Sequence, residues 1–390
     1  MATSADVVPF NIPCVTGREA EYVSAAIGSS TLAGDGPFTR RCHERLKDLT
    51  GAPHVLLTTS CTHALEMAAI LAGIQPGDEV ICPSFTFVST INAFVLRGAI
   101  PVFVDVNDDT LNIDVRLVER AITPRTKVIV PVHYAGVACD LDPLRDMAGR
   151  RRVWLVEDNA HGLFGTYKGR PLGSAGRLAT LSFHETKNVT CGEGGALLIN
   201  DDELAGRAEI VREKGTNRSR YFRGEIDKYT WVDIGSSYLP SDLLAAYLLA
   251  QLESAERIQL ARRHQWERYR AELAGWAARA GVRLPAVPDW CSQSYLLFYL
   301  RLPSLDDRTA LIRHARERGV QCAFHYQPLH LSEMGLRYGG RVGDCPVTES
   351  AADDLVRLPL YFNLTDAQQD RVIDAVTSFR PCRPARTGAA

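Results

Sequence analysis

Lys187 stands in the stretch LSFHETKNVTCGEGGALLIN (residues 181–200), after a β-like apolar run and ahead of a glycine cluster that opens a second one. A lysine at a strand end, beside the Ser182 hydroxyl and a histidine, can become a nucleophilic amine if burial and nearby cationic character lower its pKa. It could then close a Schiff base with an aldehyde. A solvated surface lysine is the plainer reading of this residue alone. The glycines do not form a nucleotide loop: Leu197 occupies the place of the third glycine in G-x-G-x-x-G, and no G-x-x-x-x-G-K-[ST] pattern occurs.

Two more segments carry reactive groups where a strand run ends. In TTSCTHAL a strand run turns directly into a helical pattern, so free amides near Cys61 and Thr62, with the hydroxyls of Ser60 and Thr62, could bind a phosphate at the positive helix end. An ordinary N-cap has the same look. In VEDNAHG an apolar run closes on Glu157 and Asp158, where a carboxylate could hold a protonated ring nitrogen or merely cap the next turn. Taken together, a phosphate cup, an acid for a pyridine nitrogen and an imine-forming lysine are what pyridoxal 5'-phosphate requires. Phe87, in PSFTFVST, could cover the pyridine ring or belong to the core.

Short Val/Ile/Leu runs must position these groups. HVLLTTS, DEVICPS, PVFVDV, KVIVPVHY and VWLVED alternate with helical patterns, and RLATLSF and GALLIN flank Lys187. Continuous apolar runs joined by helices predict an α/β fold with a mostly parallel sheet covered on both faces, whose ligands sit beyond the carboxyl ends of the strands. The expected organisation is a large α/β domain over residues 1–240, a long linking helical region over 241–284, a smaller C-terminal α+β domain over 285–380, and a disordered Pro/Arg/Gly-rich tail over 381–390.

The totals exclude some classes. A net charge of -2, with 46% hydrophobic and 23% charged residues, argues against a general nucleic-acid or membrane-surface binder. Ten cysteines without a C-x-x-C pair indicate neither a zinc site nor a disulfide framework, and reduced thiols in a cytoplasm are expected. No signal-peptide pattern and no uninterrupted apolar run of about 18 residues is present, so neither secretion nor membrane insertion is expected.

Four motifs, TTSCTHALEMAA, PSFTFVST, VEDNAHG and SFHETKNVTCGEGGAL, resemble the DegT/DnrJ/EryC1/StrS family of fold-type I, pyridoxal-phosphate-dependent sugar aminotransferases, over roughly residues 8 to 380. Within it, GDGPFTRRC, LNID, PVHYAGVACDLD and REKGTNRSRYFRGEIDKYTWVDIGSSYLPSDL look closest to the transaminases that make dTDP-4-amino-4,6-dideoxygalactose. The resemblance implies that Lys187 is the Schiff-base lysine, Asp158 the partner of the pyridine nitrogen and His161 a neighbour of the ring. It implies that Phe87 stacks on the cofactor while Cys61, Thr62 and Ser182 hold its phosphate. Relatives that become dehydratases carry histidine in place of the lysine, which Lys187 argues against. Many relatives also place Asn or Arg at the end of a GYKYN or GFNYR stretch to reach the partner subunit's cofactor phosphate. The matching stretch here is GSSYL, and Leu239 cannot make that contact.

By the same resemblance the amino donor is L-glutamate, the acceptor dTDP-4-keto-6-deoxy-D-glucose, the cofactor passes through pyridoxamine 5'-phosphate, and the enzyme is a homodimer with shared active sites. A nucleoside diphosphate needs positive charge. Residues 212 to 228 supply six basic side chains, Arg212, Arg218, Arg220 and Arg223 among them, against three acidic ones; a solvated surface loop is the other reading. FHYQPLHL offers His325, Tyr326 and His330 either to the substrate or to packing. The competing functions are a family member acting on another nucleotide keto-sugar or a cyclic ketone, and a regulator that binds the cofactor without turnover.

Overall fold

A computed structural model of the chain describes residues 7–381; residues 1–6 and the expected tail from residue 382 onward lie outside the described residues. Two helices, α1 (Glu19–Gly28) and α2 (Pro37–Thr50), precede the first strand. Pro37 sits at the start of α2 and Gly51 just past its end at φ 71, the asymmetry that the missing proline N–H and the left-handed cap dictate. The apolar face of α2 is buried, with Phe38, Cys42 and Leu46 in a cluster against the sheet.

The chain then alternates as its apolar runs predict: β1 (His54–Thr58), α3 (Cys61–Leu71), β2 (Glu79–Pro83), α4 (Ser89–Val95), β3 (Ile100–Val104), α5 (Val115–Ala121), β4 (Thr126–Ile129), α6 (Leu141–Arg151) and β5 (Trp154–Asp158). A small hairpin, β6 (Thr166–Tyr167) and β7 (Arg170–Pro171), leads into β8 (Leu178–Ser182) and β9 (Gly195–Ile199). The seven main strands lie in the order β1-β9-β8-β5-β4-β2-β3. All neighbours are parallel except β9, which runs antiparallel to both β1 and β8.

Register fixes where chemistry can occur. Thr58 and Ser182 both pair with Gly195, and Asp158 pairs with Thr180, so the ends of β1, β5 and β8 and the start of β9 form one rim. Gly195 is obligatory there: a Cβ at that position would collide with the backbone of Ser60 and Cys61 at the start of α3.

After β9 come α7 (Asp202–Arg212), α8 (Arg218–Phe222), α9 (Asp242–Glu253), α10 (Ala255–Ala280), β10 (Cys291–Ser292), β11 (Phe298–Arg301), α11 (Leu305–Glu317), α12 (Glu333–Arg337), α13 (Pro346–Asp354), β12 (Leu355–Leu358) and α14 (Asp366–Thr377). The long helix read from the sequence is two helices meeting at Ser254. Leu248, Leu249 and Leu252 of α9 pack with α1, α2 and the sheet, whereas Trp266, Tyr269 and Leu273 of α10 enter a C-terminal core with the antiparallel strands β11 and β12. The boundaries at 240 and 285 therefore do not separate the two cores. Val8, from the N-terminus, exchanges backbone hydrogen bonds with Gly319 and Gln321 in the C-terminal core, while Cys291 and Ser292 pair with β6 of the large one. No helix among the described residues is long and apolar enough to cross a membrane.

Candidate active site

The rim opens into a cavity of about 630 Å³ that Lys187, Asp158, His161, Ser60, Cys61, Thr62, Phe87 and Ser182 all help to line. At its floor, α3 begins at Cys61 with Ser60 as N-cap, its hydroxyl accepting from His63 N at 3.1 Å. The amides of Cys61 and Thr62 precede the first intrahelical bond and face no carbonyl of their own helix, the geometry that suits an anion. Burial pushes the Cys61 thiol up to about 12. Its backbone N–H is thus the group suited to a phosphate. Thr62 Oγ1 shares a 2.8 Å bond with Ser89 Oγ, a hydroxyl that sequence reading missed.

The two acids closing β5 separate by strand alternation. Glu157 and its partner His133 are wholly buried: Glu157 accepts from His133 Nε2 at 2.9 Å and from the backbone N–H of Gly173, Ala175 and Gly176 at 3.1, 2.7 and 2.7 Å. Burial opposes its charge, but these bonds outweigh burial and hold its carboxyl below the usual range. Cys139 N donates to His133 Nδ1 at 3.1 Å, which assigns the ring proton to Nε2. Asp158 lines the cavity instead. Its oxygens accept from Thr90 Oγ1 at 2.6 Å and Ala160 N at 3.2 Å, and Thr86 shares a 2.7 Å bond with Thr90 behind it. Thr90 was invisible in the sequence, being one of two adjacent hydroxyls in VSTINAF.

Lys187 lies in the loop between β8 and β9, held by its N–H on His184 O at 2.9 Å and by Asn188 Nδ2 on Ser294 O at 2.6 Å. Burial lowers its amine from the usual 10.5 to about 8; the Asp158 charge raises it and Arg357 lowers it further. His161 accepts from Ala135 N through Nδ1 at 3.3 Å. Burial holds it well below the ordinary histidine range, helped by Lys187 and Arg357. Of the two phenylalanines in PSFTF, Phe85 is fully buried against Tyr134 and Tyr326, while Phe87 is 59% exposed at the cavity, where a flat ring could cover it.

The C-terminal core supplies the opposite wall. His325 stacks on Tyr326 with centroids 3.8 Å apart, and its Nδ1 lies 3.2 Å from Tyr134 Oη; both His325 and Tyr326 line the cavity. His330 does not. It is 1% exposed, bonded through Nδ1 to Ser84 Oγ at 2.6 Å and through Nε2 to Glu349 at 3.0 Å. It ties the end of β2 to α13, so a substrate role for His330 is corrected to one in packing.

The basic stretch does not reach the cavity of its own chain. Arg212 is buried, with Nη2 2.6 Å from both Asp35 oxygens, its charge already matched. Arg220 pairs with Glu225, Arg223 with Glu225 and Glu209, and Arg218 lies over the Phe222 ring 3.9 Å from Glu213. None of the four lines the cavity. Leu239 packs onto Gly34, where a Cβ would collide with it. The cavity's second cation is Arg357 on β12, which sequence reading passed over.

Residues 13–377 match the model of the DegT/DnrJ/EryC1/StrS aminotransferase family. Spr1654 of Streptococcus pneumoniae, a proposed sugar aminotransferase solved in PMP and PLP forms, is 28% identical; in its PMP form the match covers 95% of this chain and 98% of that one at a TM-score of 0.89. The aminotransferase TlmJ of Streptoalloteichus hindustanus is 32% identical over 96% of this chain and 97% of its own, at 0.86. DesV of S. venezuelae is 32% identical over 95% and 98%, at 0.87.

Proposed function

Because the chain belongs to the DegT/DnrJ/EryC1/StrS aminotransferase family, whose cofactor is pyridoxal 5'-phosphate, we propose that it moves the amino group of L-glutamate to the C4 ketone of a nucleotide sugar. The acceptor we assign is dTDP-4-keto-6-deoxy-D-glucose, giving dTDP-4-amino-4,6-dideoxy-D-galactose in the cytoplasm. The observation that carries the reading is the convergence of Lys187, Asp158 and the α3 N-terminus on one cavity. The choice of sugar rests on the sequence resemblance of residues 34–42, 111–114, 131–142 and 212–243, and on likeness to a proposed sugar aminotransferase.

The residues fit the cofactor chemically. Free N–H groups at Cys61 and Thr62 suit its phosphate, with Ser60 and Ser182 on the same rim. Asp158, already an acceptor from Thr90 and Ala160, would accept the ring N–H, and the exposed face of Phe87 would cover the ring. When bound, pyridoxal 5'-phosphate supplies an aldehyde and an electron-withdrawing ring, and stores the amino group as pyridoxamine 5'-phosphate. Lys187, with its amine near 8, would hold that group covalently through Nζ and, once displaced by substrate, take and return a proton at the reacting carbon. His161, kept neutral by its surroundings, would hydrogen-bond beside the ring without adding a cation.

A homodimer with shared active sites accounts for the surface after α7. Phe222, Trp231, Val232 and Ile234 are 67%, 77%, 49% and 43% exposed, an apolar face that a solvated loop does not need. Light scattering should give twice the chain mass.

The activity test is direct. Purified protein loaded with pyridoxal 5'-phosphate should show a visible absorbance band, and borohydride should fix the cofactor to the Lys187 peptide. Incubation with glutamate and candidate nucleotide keto-sugars, followed by identification of the C4 epimer, assigns the acceptor. Turnover of a different keto-sugar or a cyclic ketone, with none of this one, would move the assignment. A protein that binds cofactor and turns over nothing would be the regulator instead.

A further inference from the structure

The turn after β4 holds two of the cavity's histidines by the same nitrogen. Tyr134–Gly136 form a short 3-10 turn in which Ala135 takes φ 58. From this turn the Ala135 N–H donates to His161 Nδ1 at 3.3 Å, and the Tyr134 hydroxyl lies 3.2 Å from His325 Nδ1. Tyr134 is 1% exposed, its ring fixed against Phe85, Tyr299 and Tyr326 with centroids 5.1, 5.8 and 6.1 Å away. Its hydroxyl has no other hydrogen-bond partner among the described residues. A buried phenol needs an acceptor for its proton, so Tyr134 donates to Nδ1; the reverse arrangement would strand the O–H. The proton of His325 is then on Nε2.

His325 is thereby a neutral donor turned to the cavity. Burial holds its pKa well below the ordinary histidine range, helped by Arg357, His161 and Lys187. Tyr326 covers one face of the ring at 3.8 Å, and Nδ1 is turned to Tyr134, which does not line the cavity; the Nε2 edge is what remains for a bound molecule. The His161 ring, assigned above to the side of the cofactor ring, stands 6.4 Å from His325 and within 10° of parallel, so His325 faces the reacting end. An N–H that brings no charge suits an oxygen that is neutral at first and gathers negative charge as a bond forms at its carbon. In amino transfer that oxygen belongs to the ketone of the acceptor or, in reverse, of the 2-oxo acid. We propose that His325 donates its Nε2–H to the ketone oxygen of the substrate, and that Tyr134 is the positioning residue that fixes the tautomer able to do so. This rests on the aminotransferase reading.

The tautomer is read first, without turnover. In NMR of the apo protein carrying isotope-labelled histidine, the His325 signals, identified by their loss in His325→Phe, should show Nε2 protonated and Nδ1 accepting. Tyr134→Phe should populate the Nδ1–H form. Rapid mixing of pyridoxamine-charged enzyme with 2-oxoglutarate, and separately with the nucleotide keto-sugar, then reports the ketone step through the rise of the visible band. His325→Phe should slow both on the order of 100-fold, and Tyr134→Phe should slow both about tenfold with KM nearly unchanged. In the His325→Phe background, loss of the Tyr134 hydroxyl should change neither rate by more than about twofold. A packing role for Tyr134 would cost the same in both backgrounds and would overturn the proposal. So would loss confined to one of the two ketones, which would put Nε2 on some other group. A wild-type His325 that is Nδ1–H or cationic would do the same, and that result needs no Tyr134 variant to fold. A wild type that binds cofactor yet is inert toward both ketones would overturn the aminotransferase reading and this step with it.

Discussion

The two walls of the cavity are built on different terms. On the sheet side the functional groups stand where strands end, and the chain holds the acid and the lysine loop itself, Asp158 by Thr90 and Ala160 and the loop by His184 and Ser294, leaving open the N–H groups of Cys61 and Thr62. On the C-terminal side a stacked His325–Tyr326 pair sits beside Arg357, which has an orphan Nε. A wall that holds a resident group can be completed in advance. A wall that meets molecules which must leave again can keep a charge open, and on the proposed function the two walls divide these tasks.

The strongest way to break this comparison is at Lys187. Lys187→Ala should cut turnover by at least about 10^4-fold and abolish the borohydride-stable adduct in peptide mapping, with the melting temperature of the apo protein little changed. Residual turnover near the wild-type rate would mean that the sheet wall does not carry the chemistry.

Glu157 and Asp158 sharpen it, since neighbours on one strand face opposite sides. Glu157→Ala should lose about 3–5 kcal/mol in denaturant unfolding, because the buried His133 and three backbone donors lose their acceptor. Asp158→Asn should unfold nearly as wild type yet turn over on the order of 100- to 1000-fold more slowly in stopped-flow assays, through loss of a fixed charge at the ring. The reverse pattern would exchange their roles.

This contrast also explains what the sequence could tell. The seven strand runs were legible because burial on both sheet faces demands uninterrupted Val/Ile/Leu, and the lysine, the acid and the α3 turn sit where such runs stop. Arg357 was not legible as a functional group, although a lone charge inside LVRLPL, a run otherwise buried, was a usable signal. Thr90 acts only through its contact with Asp158, which is 68 residues distant and has no local pattern. In the basic stretch composition counts charges without their partners: Asp35, which neutralises Arg212, lies 177 residues away. The break at Ser254 left no Gly or Pro behind, so two helices serving different cores read as one.

A smaller effect separates the walls by pH. The Lys187 amine near 8 lies below the ordinary 10.5, so capture of pyridoxal 5'-phosphate by the apo protein should quicken as pH rises through about 8 and then level off. Because the unfolded chain keeps that proton up to its higher pKa, apo stability should also rise with pH between these two values. Arg357→Met removes a cation from the amine's surroundings and should move the capture midpoint upward. An unchanged midpoint would place Arg357 out of electrical reach of Lys187.

The smallest effect is expected on the surface, and it tests whether open charge, rather than positive charge in general, marks a binding wall. Arg223 is half exposed and already paired with Glu209 at 2.9 Å and Glu225 at 2.6 Å. Solvent screens such pairs, so Arg223→Gln should change unfolding stability by about 0.5 kcal/mol or less. The KM for the nucleotide sugar, measured in the same preparation, should stay at the wild-type value because Arg223 does not line the cavity of its own chain. A clear rise in that KM with stability unchanged would show that this arginine exchanges Glu225 for a phosphate, acting across the proposed dimer interface. The contrast would then lie between the two subunits rather than the two walls.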